Sequence, residues 1–366
     1  MTTETTAPFQ LERLGTIMEP NPHNPREAWG VLNPGGARGR DGAYYLFPRL
    51  VAEGNYSRIG RARVVFDDAG NPTGAERLGY ALEPTESYEV NRAGGGVEDP
   101  RLTYVRPLDT YVMSYTAYTP PFHPRIAFAV SHDLVTWRRL GALRFATESE
   151  DYDLNDSGNK DGIVFPDVVH DAHGRPSLAI LHRPTYSVQH HHHGGLLTPP
   201  PAGSGNEHLE NIWISYVPLD AAQADIANLT FAHGHRIVME PQADWEAVKI
   251  GGGAPPVRLP YGWLFLYHGV AGSQAGPEKH VRYCAGAAVL DLQDPTKVLY
   301  RSPRPILAPE LPAETQGIVP GVVFPTATDR RDGGRLDVYY GAADSITSAA
   351  KLTIPDELPG DVIESA

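Results

Sequence analysis

Apolar and polar positions alternate in short runs along this chain, as in RIAFAV (125–130) and LAILHR (178–183). A period of two marks a strand, because successive side chains leave an extended backbone on opposite sides. Stretches with the 3.6-residue period of an amphipathic helix are scarce. Gly (37) and Pro (34) make up about a fifth of the 366 residues and are dispersed, so turns are frequent and elements short. The pattern predicts an all-β protein.

Five segments share a turn followed by an apolar strand ending in an aromatic or polar cluster: GAYYLFPR (42–49), TYVMSYTAY (110–118), PSLAILHRP (176–184), GWLFLYHGV (262–270) and LDVYYGAAD (336–344). Their strands begin near 44, 111, 177, 263 and 336, at intervals of 67, 66, 86 and 73 residues. Four are preceded by another short strand and a turn (EDPRLTYV, FPDVVHDAHGR, APPVRLPYG, VVFPTATDRRDGG), and several are followed by a third strand. A unit of about four short strands repeated five times predicts a five-bladed β-propeller with a central active-site pocket. A β-sandwich with accidental similarity is the competing fold. The long interval holds TYSVQHHHHGGLLTPPPAGSGNEHLE, a His-, Pro- and Gly-rich loop insertion at about 186–210. One domain is expected over 1–366, with an irregular N-terminal extension and C-terminal tail.

Composition narrows the partners. A net charge of −13 argues against nucleic acid and anionic membranes. Cys284 is the single cysteine, which excludes an internal disulfide and a cysteine-based zinc site. The start MTTETTAPFQ has no basic and apolar leader pattern, and no apolar run approaches a membrane span. A cytoplasmic location is expected.

Residues 94–105, GGGVEDPRLTYV, put two carboxylates between three glycines and a proline. On an extended strand Glu98 and Asp99 would point to opposite faces, so one at most would enter a given pocket. Pro100 should push Asp99 towards an extended conformation. Such a stretch could fix a carboxyl at a cleft or build an ordinary solvated turn. In a propeller the inner strand ends meet at the axis, which would gather Arg49, Glu98, Asp99, Arg101, Lys160, Asp161, His182, Arg183, Lys249, Tyr267, His268, Tyr340 and Asp344. Arg183, Lys249 and His268 at repeat-equivalent places form a local basic cluster inside an acidic protein, suited to an oxyanion such as phosphate.

The runs VEDPRLTYV, YTAY, NKDGIVFP, LHRP, WEAVKIGGGAPPV, GWLFLYHGV, VLYRSPRPILAPE, VVFP and YYGAAD, in this order from about Asn33 to Asp344, closely resemble glycoside hydrolase family 130. That family holds β-mannoside phosphorylases and some β-mannosidases on a five-bladed propeller. The resemblance implies that Asp99 of the EDPR motif is the catalytic acid. It implies phosphate binding by Arg183, Lys249 and His268, with a further contact from Tyr339 or, preferably, Tyr340 of the YYG motif. Asp344 would contact the mannosyl unit, and Asn33 and Arg49 would bind sugar. Glu98 and Arg101 would hold Asp99 or the sugar, while Lys160 and Asp161 fit an inter-blade salt bridge or a substrate role equally.

The implied reaction is inverting phosphorolysis of a β-mannoside to α-mannose 1-phosphate. The phosphate is already an anionic nucleophile, so one carboxyl suffices, unlike the two of ordinary glycosidases. In the family the acid is held to act through the mannose 3-hydroxyl. No cofactor beyond inorganic phosphate is implied, and no metal. The His190–His193 run could bind metal adventitiously; a lid or a subunit contact suits it better, and oligomers are common in the family. The runner-up is an inverting β-mannosidase acting on β-1,2 linkages, with Glu207 or Glu210 as the base for water. A non-catalytic sugar-binding propeller is a third reading. Trp213, Trp245 and Trp263 suit the core or a sugar platform.

Overall fold

The computed structural model describes residues 8–90, 94–149, 152–185, 210–273 and 280–358. After β1 (Leu11–Met18), the first sheet holds β2 (Gly30–Arg38), β3 (Tyr44–Ala52), β4 (Tyr56–Phe66) and β5 (Pro72–Leu82). The second holds β6 (Gly95–Val105), β7 (Thr110–Tyr118), β8 (Arg125–Ser131) and β9 (Arg138–Ala142). The third comprises β10 (Arg144–Phe145), β11 (Gly158–Val164), β12 (Val169–His170), β13 (Pro176–Thr185), β14 (Ile212–Pro218) and β15 (Phe231–Met239). In the fourth are β16 (Lys249–Gly252), β17 (Val257–Leu259), β18 (Gly262–Ser273), β19 (His280–Leu290) and β20 (Val298–Arg301). The fifth runs β21 (Val323–Arg330), β22 (Arg335–Ala342), β23 (Ile346–Thr353). Its outermost strand is β1, paired antiparallel with β23 from Leu11–Leu352 to Met18–Thr347. Neighbours within each sheet are antiparallel apart from the two-residue β10–β15 pair, and a two-residue parallel pairing of Tyr56 and Ser57 with Gly95 and Gly96 links the first sheet to the second.

The five repeat segments are the second strands of these five sheets, β3, β7, β13, β18 and β22. The inner strands form a ring: β2 packs on β6 and β21, β6 on β11, β11 on β16, and β18 and β19 on β21. Alternation now has a physical meaning, because each sheet feeds two cores. In β13, Leu178 and Ile180 join Phe128 and Trp213 in the core between the second and third sheets. Ala179 and Leu181 join Phe165, Trp263 and Phe265 between the third and fourth. Equivalent cores fill the remaining boundaries: Phe47 with Met113, Leu264 with Val338, and Leu46 with Tyr339. Five sheets with an apolar core at each boundary make a closed five-bladed β-propeller.

One sequence expectation fails here. The N-terminal extension is not irregular over Leu11–Met18, because that segment supplies the strand that closes the fifth sheet. In the third repeat the short strand expected within FPDVVHDAHGR is Val169–His170, and the inner strand is GNKDGIV (β11). Residues 186–209 of the insertion, with Glu207 and His190–His193, lie outside the described residues.

Candidate active site

Asn33, Asp99 and Asp161 occupy the same place in three successive sheets. Each sits where the inner strand slips register against the second strand: between Leu32 and Gly35, Glu98 and Arg101, and Lys160 and Ile163. Each is left-handed, with φ of 44°, 45° and 56°. These are β-bulges, in which extra backbone re-aims a side chain. Only Gly, Asn and Asp visit this region readily, which explains the residue types. Asp344, just after β22, is also left-handed at φ 49°.

The bulge overturns the alternation expected for EDPR. Asp99 is not extended despite preceding Pro100, and both acids reach one arginine. Arg49 Nη1 lies 3.2 Å from Asp99 Oδ1, and its Nη2 3.0 Å from Glu98 Oε1. Asn33 Nδ2 donates to Asp99 Oδ1 at 2.8 Å. Lys160 Nζ stands 3.4 Å from Glu98 Oε2, an ion pair between the second and third sheets. Burial opposes ionisation of Asp99, but Arg49, Arg101, Lys160 and the Asn33 bond outweigh it and hold the carboxyl below its ordinary range. Asp344 behaves oppositely. Its burial, with Asp99 and Glu98 nearby, outweighs the pull of Arg49 and pushes it up to about 6.

Arg101 joins this acid group to a second cluster. It is buried, with Nη1 donating to the Asp99 carbonyl at 2.6 Å, Nε to the Gly253 carbonyl at 3.0 Å, and Nη2 3.5 Å from Asp161 Oδ1. Asp161 Oδ2 accepts from Arg183 Nε at 2.7 Å and lies 3.9 Å from His268 Nε2. Despite burial, Arg183, His268 and Arg101 hold Asp161 far below the carboxylate range. Arg183 Nη1 also pairs with Glu210 Oε2, which is 3.8 Å from Lys249 Nζ. Burial drives His268 down to about 3, so at neutral pH it is an uncharged hydrogen-bonding group, not the cation expected from sequence. Its Nδ1 is buried with no hydrogen-bond partner among the described residues. A Cβ at Gly251 would collide with both Asp161 and His268, so glycine there lets the two meet.

The structure thus brings together Arg183, Lys249, His268, Asp161 and Arg101, and beside them Asp99, Glu98, Arg49, Asn33, Lys160 and Asp344. Tyr340 falls elsewhere. Its hydroxyl donates to Glu314 Oε1 at 3.0 Å, and Glu314 is paired with Arg13 of β1. Tyr339 stacks on Tyr44 in a core. Neighbours on β22 cannot share a face, and neither points at the anion cluster. His182 and Tyr267 also turn away, to Asn159 and Ser215 and to Glu246 and Arg301. Trp213 and Trp263 are core residues, and Trp245 packs against Tyr267. The residue that sequence reasoning missed is Tyr283 of β19. Its ring stacks on His268 at 5.7 Å with Lys249 Nζ 5.9 Å from its centroid, and burial pushes its hydroxyl up to about 12, with Arg183, Asp344, Asp161 and Asp99 all acting on it. It lies on a third strand, which none of the quoted family motifs covers.

No group of three or more metal-binding side chains occurs among the described residues, and none of their helices is long and apolar enough to cross a membrane. A cavity of about 280 Å³ beside Glu148, Asp171, His173, His233 and His235 holds none of the residues above.

A 1,2-β-oligomannan phosphorylase of Thermoanaerobacter sp. is 28% identical over 364 residues, 95% of this chain and 99% of that protein. The structure of a β-1,2-mannobiose phosphorylase from Listeria innocua with β-1,2-mannobiose superposes with a TM-score of 0.64 at 24% identity, covering 96% of this chain and 93% of that one. A structure from work on glycoside hydrolases of the same family that target β-1,2 mannosidic linkages in Candida mannan reaches 0.67 at 20% identity, over 96% and 95% of the two chains. The two structural likenesses concern the fold. The family model described as β-1,4-mannooligosaccharide phosphorylase matches residues 5–186 and 219–358, breaking at the insertion. With nearly the whole chain matched in this way, the protein belongs to glycoside hydrolase family 130.

Proposed function

We propose that this protein catalyses inverting phosphorolysis of a β-linked manno-oligosaccharide, releasing α-mannose 1-phosphate. The observation that carries this reading is the convergence of Arg183, Lys249 and uncharged His268 beside the Asp99–Arg101 bulge. Two fixed cations and a buried imidazole lacking an Nδ1 partner suit a phosphate. Asn33, Arg49, Glu98, Lys160 and Asp344 would line the mannosyl side, with Tyr283, in place of Tyr340, at the junction.

In the reaction a phosphate oxygen bonds to the anomeric carbon while the bond to the glycosidic oxygen breaks on the opposite face. A proton passes from Asp99 through the mannose 3-hydroxyl to the leaving oxygen. Asp99 is ionised in the free site, so its proton is acquired as the site fills; the negative charge of bound phosphate works in that direction. Asn33 and Arg49 both donate to Asp99 Oδ1 and so fix the carboxyl, which matters because an ångström of misplacement can cost about a hundredfold in rate.

Hydrolysis is the second reading. The observation favouring it is Glu210, a carboxylate within the anion cluster that could serve a water. Product analysis on β-1,2- and β-1,4-linked mannobiosides, with and without inorganic phosphate, separates the two. We expect phosphate-dependent mannose 1-phosphate and a loss of at least about a thousandfold in Asp99→Asn. Free mannose formed equally fast without phosphate would replace phosphorolysis by hydrolysis.

A further inference from the structure

We propose that Glu210 is a built-in occupant of the phosphate pocket, so that phosphate binds by exchanging with a carboxylate of the protein itself. This rests on reading Arg183, Lys249 and His268 as the phosphate ligands. Glu210 Oε2 is the atom that meets both cations: it pairs with Arg183 Nη1 and lies 3.8 Å from Lys249 Nζ. The side chain is delivered there by the backbone, since Glu210 bridges Lys249 in parallel and its carbonyl accepts from Ile250 N–H at 3.1 Å. It is buried, at 8% exposure.

Geometry and charge both make the two anions competitors. The Arg183 fork is engaged at Nε by Asp161 and at Nη1 by Glu210, so a phosphate seeking two parallel bonds from the guanidinium must take Nη1. Three cations, Arg101, Arg183 and Lys249, face Asp161 and Glu210, which leaves one net positive charge for a nucleophile carrying up to two negative ones. Moving Glu210 away raises the balance to two. Like charges within a few ångströms in a poorly screened site repel strongly, so the carboxylate and the phosphate do not share it at full charge. Glu210 therefore sets the affinity for the nucleophile. In the unliganded protein it keeps Arg183 and Lys249 compensated, and in the complex it yields to phosphate.

Two measurements on Glu210→Gln test this: the Michaelis constant for inorganic phosphate in mannobioside phosphorolysis, and the thermal shift produced by inorganic phosphate alone. The expected result is a Michaelis constant for phosphate lower by about tenfold or more, with a larger phosphate-induced thermal shift than in the parent. Glu210→Gln should also melt below the parent without phosphate and recover when phosphate is added, because phosphate replaces the missing anion. Glu210→Asp keeps the charge but draws it back by one carbon, and should fall between the two; it decides the matter by the same criterion should the glutamine variant not fold. A constant for phosphate that rises or stays level would overturn the proposal and leave Glu210 as a positioning partner of Arg183. Loss of phosphate-independent mannose release would instead make it a base for water, and would equally overturn it. A parent enzyme indifferent to phosphate in both measurements would remove the phosphorolysis reading, and this inference with it.

Discussion

A Cβ at position 341 would collide with Asn33 Oδ1, and Asn33 Nδ2 is the donor that fixes Asp99. In YYGAAD it is therefore the glycine and Asp344 that meet the Asp99 group, while Tyr340 bonds to Glu314 and Tyr339 packs in a core. That distinction can be tested with one hydroxyl at each of two sites. Tyr283→Phe removes a hydroxyl among Arg183, Asp161 and Asp99 and should raise the Michaelis constant for phosphate about tenfold with little change in melting temperature. Tyr340→Phe leaves Glu314 short of a donor and should cost about 1 kcal/mol of stability with phosphate kinetics unchanged. Reversed outcomes would return Tyr340 to the site. The motifs made most site residues legible, since EDPR, HRP, the glycine turn and YHG each carry a side chain that the structure places in one of the two groups. They could not say which face of β22 a tyrosine takes, because that depends on cross-strand register. Nor could they reveal a neutral His268, because its low proton affinity comes from burial by neighbours remote in sequence.

Register is also what the elements add. From sequence, Asn33-Pro34, Asp99-Pro100 and Asp161-Gly162 look like three unrelated turn dipeptides. In the sheets they are one bulge repeated on β2, β6 and β11. Turn-forming residues inside an otherwise apolar inner strand were the available signal, and alternation read too strictly hid it. The repeat itself was legible because second strands end in similar clusters; β1 was not, since LERLGTIM lies outside any repeat and acquires its partner only through ring closure. Arg13 ties β1 to the fifth sheet through Glu314, with Nε 2.7 Å from Oε1 and Nη2 3.0 Å from Oε2. Arg13→Ala leaves a buried carboxylate without its cation and should cost about 3 kcal/mol in urea unfolding. A cost below about 1 kcal/mol would show that the remaining backbone donors to Glu314 suffice.

For the whole molecule, Asp344 makes stability depend on pH in a definite sense over its own titration range. Asp344 titrates near 6 when folded and near 4 when unfolded, so between those values the folded state holds more protons and stability falls as pH rises. The contribution is neutral below about pH 4 and costs up to about 3 kcal/mol above about pH 6. Asp344→Asn should then be more stable than the parent at about pH 7.5 and nearly equal at about pH 4. A difference of the same size at both values would assign it to lost contacts rather than to charge. The ring of five cores was implied by the alternation of each strand, but the pairing that shuts it depends on chain ends over three hundred residues apart. That closure also has a direction. Because β1 and β23 run antiparallel, Leu11 lies opposite Leu352 where both chain ends leave the sheet, so tension on those ends would first strain the anchors of Phe9 and Ile354 and then load this pair. The strands would then peel apart one pair at a time, so a propeller held by five cores should yield at lower force when pulled by its ends than when sheared across them.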